Sequence, residues 1–259
     1  VMTIGTTAVV AALLAVRALG DESIARRGAP WLVLAPMAVW MGVCGDALFT
    51  AVAAWGLALL AFASRRQGRA CAAYGVTAGV LLGYCVYLSY GLVLLGPLAV
   101  AVLILAGTVR ALPWALAGAL AVAVAFTLAG FAWWEAFPVL RERYYDGIAS
   151  ERPYTYWVWA DIAAWTFTAG LATWAAIPAG VRHLRERNPV AVLGCTALLC
   201  IAIATLSGMS KAEVERIWMP FTLWALLLPA LLPTRWRTPL LASQAATGLL
   251  VQFLLLTRW

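Results

Sequence analysis

Residues 189–207 read PVAVLGCTALLCIAIATLS, and residues 210–221 read SKAEVERIWMPF. The first stretch carries no charged side chain and is long enough to cross a bilayer core, which takes about 20 apolar residues as a helix. The second places Ser210, Lys211, Glu213, Glu215 and Arg216 directly before another apolar stretch, 217–232. Charge at a membrane boundary is costly to place and is kept for a reason. The stretch reads either as a well-capped helix start or as a site for an anionic ligand. Apolar span, charged turn and apolar span together set the fold class: all-α, a polytopic transmembrane helical bundle.

Composition agrees along the whole chain. Of 259 residues, 64% are hydrophobic and 11% charged, with a mean hydropathy of +0.90. A soluble domain would carry about a quarter charged residues, so the chain reads as an integral membrane protein with membrane lipids around it. The fourteen Trp fit the aromatic belts of bilayer interfaces. The net charge of +7 is scattered over the connections between apolar spans. It sets topology, and no nucleic-acid partner is expected. The five Cys form no CxxC or Cys/His cluster, so neither a disulfide nor a metal is expected, and Cys inside an apolar run behaves as a small hydrophobe. His183 lies in a polar loop and reads as solvated. No Walker A, Rossmann glycine loop, HExxH or GxSxG motif occurs, and no cofactor is expected. Val1 opens without a basic n-region, so the natural start is expected upstream.

Ten candidate spans follow: 2–19, 30–43, 47–64, 70–87, 90–108, 112–131, 157–180, 189–207, 217–232 and 238–257. At 1.5 Å per residue the 30–43 segment reaches only about 21 Å, so it reads as broken or partly inserted. Loop charge orients the set. Arg26, Arg27, Arg65, Arg66, Arg69, Arg110, Arg182, Arg185, Arg187, Arg235 and Arg237 fall on one set of ends, which the positive-inside rule makes cytoplasmic. Asp46, Glu135, Glu142, Asp146, Glu151, Asp161, Glu213 and Glu215 fall on the other, mixed with Arg141, Arg143, Arg152, Lys211 and Arg216. That rule concerns Lys and Arg, so acidic residues gathered outside are either solvated loop residues or the lining of an outward-facing site. Gly75, Gly79 and Gly83, four apart on one helix face, read as a helix-packing seam.

Three outward stations carry the candidate residues. Asp46, in the tight turn before span 47–64, is a helix N-cap, a boundary carboxylate for a sugar hydroxyl or metal, or both. The outer loop 132–156 is the longest non-apolar segment, and long loops are often functional. Its 135–146 part reads as an interfacial amphipathic helix. Its 151–157 part, with Arg152 and Tyr154, mixes rings and charge as carbohydrate binding does. Asp161 lies about one turn inside the next span, as a candidate pocket residue. In the third station, Ser210 and Glu213 have capping-box spacing. Lys211 with Glu215 and Glu213 with Arg216 have ion-pair spacing. Arg216 lies just past the cap at the depth of a lipid phosphate, a group that guanidinium binds bidentately.

The order of these elements resembles the multi-spanning GT-C glycosyltransferases of bacteria, including actinobacterial membrane proteins of that type. A Gly-Asp-Ala turn heads a span, and a Gly-rich span follows. An aromatic outer loop holds Arg152-Pro153-Tyr154, and the late Lys211-Ala212-Glu213-Val214-Glu215-Arg216-Ile217-Trp218 is similar to a Ser-x-Gly-Glu-x-x-Arg-Ile-Trp element, with Ala212 where Gly is common. The resemblance implies a polyprenyl-phosphate sugar donor, a glycan or lipid acceptor, and transfer on the outer face of the plasma membrane. It places the catalytic carboxylate in a first outer loop, so the base is expected upstream of Val1, and Asp21 and Glu22 on a cytoplasmic connection are poor candidates. Arg216 and Lys211 are then expected at the lipid phosphate, and Asp46, Arg152, Tyr154, Asp161 and Glu213 at the sugar or acceptor. No metal is expected. The alternative is a transporter or a non-catalytic membrane subunit.

Overall fold

The computed structural model describes residues 2–255, and among these every regular element is helical. In chain order these are α1 (Met2–Leu19), α2 (Glu22–Val33), α3 (Ala38–Met41), α4 (Asp46–Ser64), α5 (Gly68–Leu88), α6 (Leu95–Ala106) and α7 (Leu112–Leu128). Then come α8 (Trp133–Asp146), α9 (Tyr154–His183), α10 (Pro189–Ser207), α11 (Val214–Ile217), α12 (Met219–Ala225) and α13 (Thr234–Leu254). Short 3-10 turns occupy Tyr90–Leu94, Ile148–Glu151 and Leu228–Leu231.

Among the described residues, α4, α5, α9 and α10 are long and apolar enough to cross a membrane. A fifth span arises if α7 and α8, bent by 74° at a short break, are one interrupted segment. The remaining stretches expected to span take other forms. Residues 3–19, 90–106 and 219–231 are apolar but shorter. The 30–43 stretch is broken between α2 and α3, as its length implied. α13 is long, but it carries Arg235 and Arg237 in its first turn and Ser243, Gln244 and Thr247 within it; the expected span 238–257 also runs past the described residues.

Small residues set the packing. Helices α1, α4, α5 and α7 stand in a row, each against the next. α4 is buried along most of its length by alanines, Gly56 and leucines, as expected of a helix apolar on all sides. The glycine seam of α5 faces α7: a Cβ on Gly75 would meet Trp114, one on Gly79 the backbone of Ala115, and one on Gly83 the backbone of Ala119. The sequence reading of these glycines as a seam holds. Helices α9, α10 and α6 close the other side, with α13 against α9. The stretch expected to span at 217–232 lies at the centre instead. It is interrupted by Pro220 and Pro229, and every residue from 218 to 230 is buried.

The end of α1 is held by a distant arginine. Arg65 Nε donates to the Ala18 carbonyl at 2.9 Å, and its Nη2 donates to that of Leu19 at 3.0 Å. These carbonyls have no partner inside the helix. Arg65→Met is expected to lower stability by about 1 kcal/mol, read as a fall in the thermal midpoint in detergent.

Candidate functional site

The site is built around the turn after α10. That helix stops at Gly208, which takes a left-handed conformation with φ 66°. Two further left-handed residues follow, Ala212 at φ 69° and Glu213 at φ 59°, neither of them glycine. Such conformations cost roughly 1 kcal/mol or more each and persist only where the surroundings impose them. Here they do. The Lys211 N–H donates to the Tyr144 hydroxyl at 3.0 Å, and the Ala212 N–H to Asp161 Oδ1 at 2.9 Å. Arg152 Nη1 donates to the Lys211 carbonyl at 2.5 Å. Lys211 Nζ donates to the Ala149 carbonyl at 3.2 Å and lies 5.5 Å from the centre of the Tyr145 ring. Residues 210–213 thus form a strap pinned by α8, by the 3-10 turn after it and by the first half of α9.

This geometry replaces the expected capping box. Helix α11 starts at Val214, Glu213 is left-handed, and no side chain caps it. The Ser210 hydroxyl instead accepts from Trp218 Nε1 at 3.2 Å. Because 211–213 is not helical, Lys211 is not set four residues along a helix from Glu215, and its ammonium is spent on Ala149 and Tyr145. The Glu213–Arg216 pair does form.

The strap aims α11 at the start of α4. Arg216 Nη1 meets Asp46 Oδ2 at 2.7 Å, joining residues 170 apart in sequence, while its Nη2 meets Glu213 Oε2. Asp46 is not the N-cap; Gly45 holds that place, and Asp46 is the first helical residue. Burial acts to lower the Arg216 pKa, but the two carboxylates outweigh it and hold the group above its ordinary value. Glu215, on the same short helix, is pushed upward by burial, and its Oε2 is buried without a hydrogen-bond partner. A carboxyl whose folded pKa lies above its unfolded value contributes stability that is present below the unfolded pKa and lost as pH rises through the folded one. Glu215→Gln is expected to flatten that fall and to stabilise the protein by about 1 kcal/mol at neutral pH, read from thermal midpoints across a pH series.

Asp46 and Arg216 lie in the wall of a half-open cleft of about 590 Å³. The lining is polar at Asp46, Arg216, Ser210, Ser89 and Ser207 and apolar at residues such as Leu88, Val93 and Ile203. A further part of it comes from α8, whose Trp133, Phe137, Leu140 and Tyr144 face the cleft at helical spacing. Trp133 and Phe137 stack at 5.1 Å, and both touch the Tyr90 ring. The expected amphipathic helix at 135–146 is therefore present, with no residue fully buried.

The seven expected site residues divide into three groups. Asp46, Arg216 and Glu213 come together. Lys211, Arg152 and Asp161 meet around the strap and do not line the cleft. Lys211 and Asp161 are 8% and 2% exposed, which places both inside the protein. Tyr154 lies apart: its hydroxyl donates to the Leu206 carbonyl at 3.2 Å and its ring packs on Gly208, at the end of α10. Lys211, expected beside Arg216 at a lipid phosphate, does not line the cleft that holds Arg216; its ammonium lies on the Ala149 carbonyl and the Tyr145 ring. Tyr144 and the α8 stripe escaped sequence reasoning. Their signal was available as aromatic and apolar residues at positions 133, 137, 140 and 144.

Among the described residues, no group of three His, Cys, Asp or Glu comes together that could hold a metal ion. Comparison with protein-family models, with curated proteins and with solved structures finds no match.

Proposed function

We propose that the chain is the membrane-embedded part of a GT-C-type glycosyltransferase. It moves a sugar from a polyprenyl-phosphate donor to a hydroxyl acceptor in the cleft beside Arg216. One observation carries this reading: the Asp46–Arg216 pair lines a cleft whose remaining lining is mostly aromatic and apolar. Such a cleft suits an amphiphile, with its chain along α8 and its head at the ion pair. On this reading the four or five long spans and the shorter, broken segments make about ten inserted elements, and the cleft opens on the extracytoplasmic face of the plasma membrane.

The chemistry is a displacement. An acceptor hydroxyl attacks the anomeric carbon, the bond to the lipid phosphate breaks, and a carboxylate takes the hydroxyl proton. In this chain Arg216 is paired with Asp46 on the cleft wall and with Glu213 beside it, and the strap residues Arg152, Asp161 and Lys211 fix the turn that carries it. A transporter reading would draw on the broken helix α9, since transporters bind ligands at such breaks. The backbone groups next to that break are bound to Gln244 and do not await a ligand, which favours transfer.

The test is transfer by the full-length protein supplied with polyprenyl-phosphate sugars. Arg216→Ala is expected to lower the rate about 100-fold, the cost of misplacing reacting groups by about 1 Å. Arg216→Lys should recover part of it. An unchanged rate at normal expression would remove this site from the reaction.

A further inference from the structure

The four long apolar helices bring one end of each together. α4 ends and α5 begins across the turn 65–67, and α9 ends and α10 begins across the turn 184–188. The end of α1 joins the two turns. The Arg65 guanidinium lies on the carbonyls of Ala18 and Leu19, and a Cβ on Gly20 would stand 2.9 Å from Pro189 Cγ at the start of α10. Arginines gather on this rim, while its carboxylates are already engaged. Asp21 accepts from the Ile24 N–H as the cap of α2, Glu22 lies between Arg17 and Arg26, and Glu186 stands 4.0 Å from His183. Arg66, Arg69, Arg185 and Arg187 are exposed, and among the described residues no carboxylate, carbonyl or ring holds their guanidinium groups.

Arg187 carries a second, independent mark. Its backbone is left-handed, with φ 51°, a conformation that a residue with a Cβ avoids. The left-handed place beside the α4–α5 turn is filled by Gly68, at φ 57°. The α9–α10 turn thus keeps a guanidinium where glycine would fit with less strain, and no contact of that guanidinium inside the protein accounts for it. The fixed positive charges at this end are all arginine; the chain's one lysine, Lys211, lies in the strap.

We infer that this rim binds the phosphodiester head groups of anionic membrane lipids, with Arg66 and Arg69 on one side of the α1 end and Arg185 and Arg187 on the other. A guanidinium takes two oxygens of a phosphate through parallel N–H bonds. A lipid supplies that phosphate because these arginines stand at the ends of apolar spans, where head groups lie and acyl chains pack along the helices below. Lipid binding here is independent of sugar transfer at the cleft, and either can hold without the other.

The full-length protein is reconstituted in nanodiscs of mixed phosphatidylcholine and phosphatidylglycerol and released into mild detergent, and the lipids it retains are counted by native mass spectrometry. Phosphatidylglycerol is expected in excess of its share in the disc. The triple variant Arg66→Gln, Arg69→Gln, Arg187→Gly should lose that excess, about fivefold for each charge removed. Arg141→Gln with Arg143→Gln, on α8, should leave it unchanged. Arg187→Gly alone separates lipid binding from folding. It eases the backbone, so the thermal midpoint in neutral detergent should hold or rise while phosphatidylglycerol retention falls. Equal retention of the two lipids overturns the inference. So does an excess that survives the triple substitution, or one that falls as far in the α8 variant. Inorganic phosphate separates the two sources of the anion: phosphatidylglycerol should raise the thermal midpoint in neutral detergent and inorganic phosphate should not. An equal rise with inorganic phosphate assigns the rim to a free anion and overturns the lipid.

Discussion

Gly79→Ala is expected to destabilise the protein by about 3 kcal/mol, the upper range for forcing atoms into a packed contact. A Cβ built there would stand 1.9 Å from the Ala115 carbonyl oxygen and 2.7 Å from its carbon. Both atoms are backbone, so no rotamer change relieves the overlap, and α5 and α7 must separate. The contact is reciprocal: a Cβ on Gly118 of α7 would stand 2.2 Å from the Val76 oxygen on α5. Helices with apolar tails around them gain little from hiding apolar surface from one another, and close backbone approach is what remains to hold them. The neighbouring α5 glycines share the seam, so separation at Gly79 also loosens the contacts at Gly75 and Gly83. Gly96→Ala is the control, because nothing lies within 4 Å of its added Cβ; it should cost nothing. Thermal midpoints in detergent decide the matter. A Gly79→Ala protein as stable as the Gly96→Ala one would show that the seam does not hold α7.

That seam was legible because it is local: three glycines four apart lie on one face whatever the rest of the chain does. The same holds for the apolar helices and for the amphipathic 135–146 segment, whose patterns repeat within a few turns. The Asp46–Arg216 pair was half legible. Both residues stood out as charges at span ends, but nothing in a sequence says that positions 170 apart will meet at 2.7 Å. The strap was not legible. The spacing of Ser210 and Glu213 matches a capping box, and a helical reading of 210–216 follows from it. Tertiary hydrogen bonds from Tyr144, Asp161 and Arg152 to residues 211 and 212 turn the chain left-handed before the helix begins. Those partners come from α8, from the connection after it and from α9, 51 to 67 residues earlier. The central segment 217–232 misled for another reason. A run apolar on every side fits a lipid-facing span and a buried core element equally well, and only the neighbours decide between them.

The break in α9 yields the other large effect. Gln244→Leu is expected to cost about 2 kcal/mol, because it takes the side-chain acceptor from the buried Ala172 N–H and one of the two donors from the Ala169 carbonyl, which keeps the Thr173 hydroxyl. Gly170 interrupts the helix with φ 70° and ψ 167°, which removes it from the regular hydrogen-bond ladder. Gln244 of α13, itself fully buried, occupies the gap. Its Nε2 donates to the Ala169 carbonyl at 3.0 Å, and its Oε1 accepts from the Ala172 N–H at 3.3 Å. Leucine fills the volume and offers neither bond. Gln252→Leu, on the exposed face of the same helix, should leave stability unchanged, so a shared loss of polarity cannot mimic the effect. Amide exchange at Ala172 should quicken in Gln244→Leu alone. Gly170→Ala attacks the same joint from the other side, since its Cβ would fall 1.9 Å from the Gln244 oxygen in a backbone region that alanine avoids. Combined with Gln244→Ala it should cost less than the two single losses summed, because with the side chain gone the alanine lets α9 close its ladder. The half of α9 before the break carries Asp161 and Thr168, which bind the Ala212 N–H and the Glu215 carbonyl. A straightened α9 would swing that half off the strap. The combined variant should therefore fold and yet lose the ordered 210–213 turn, seen as faster amide exchange at Ala212. Normal exchange at Ala212 in a stable double variant would separate the break from the site.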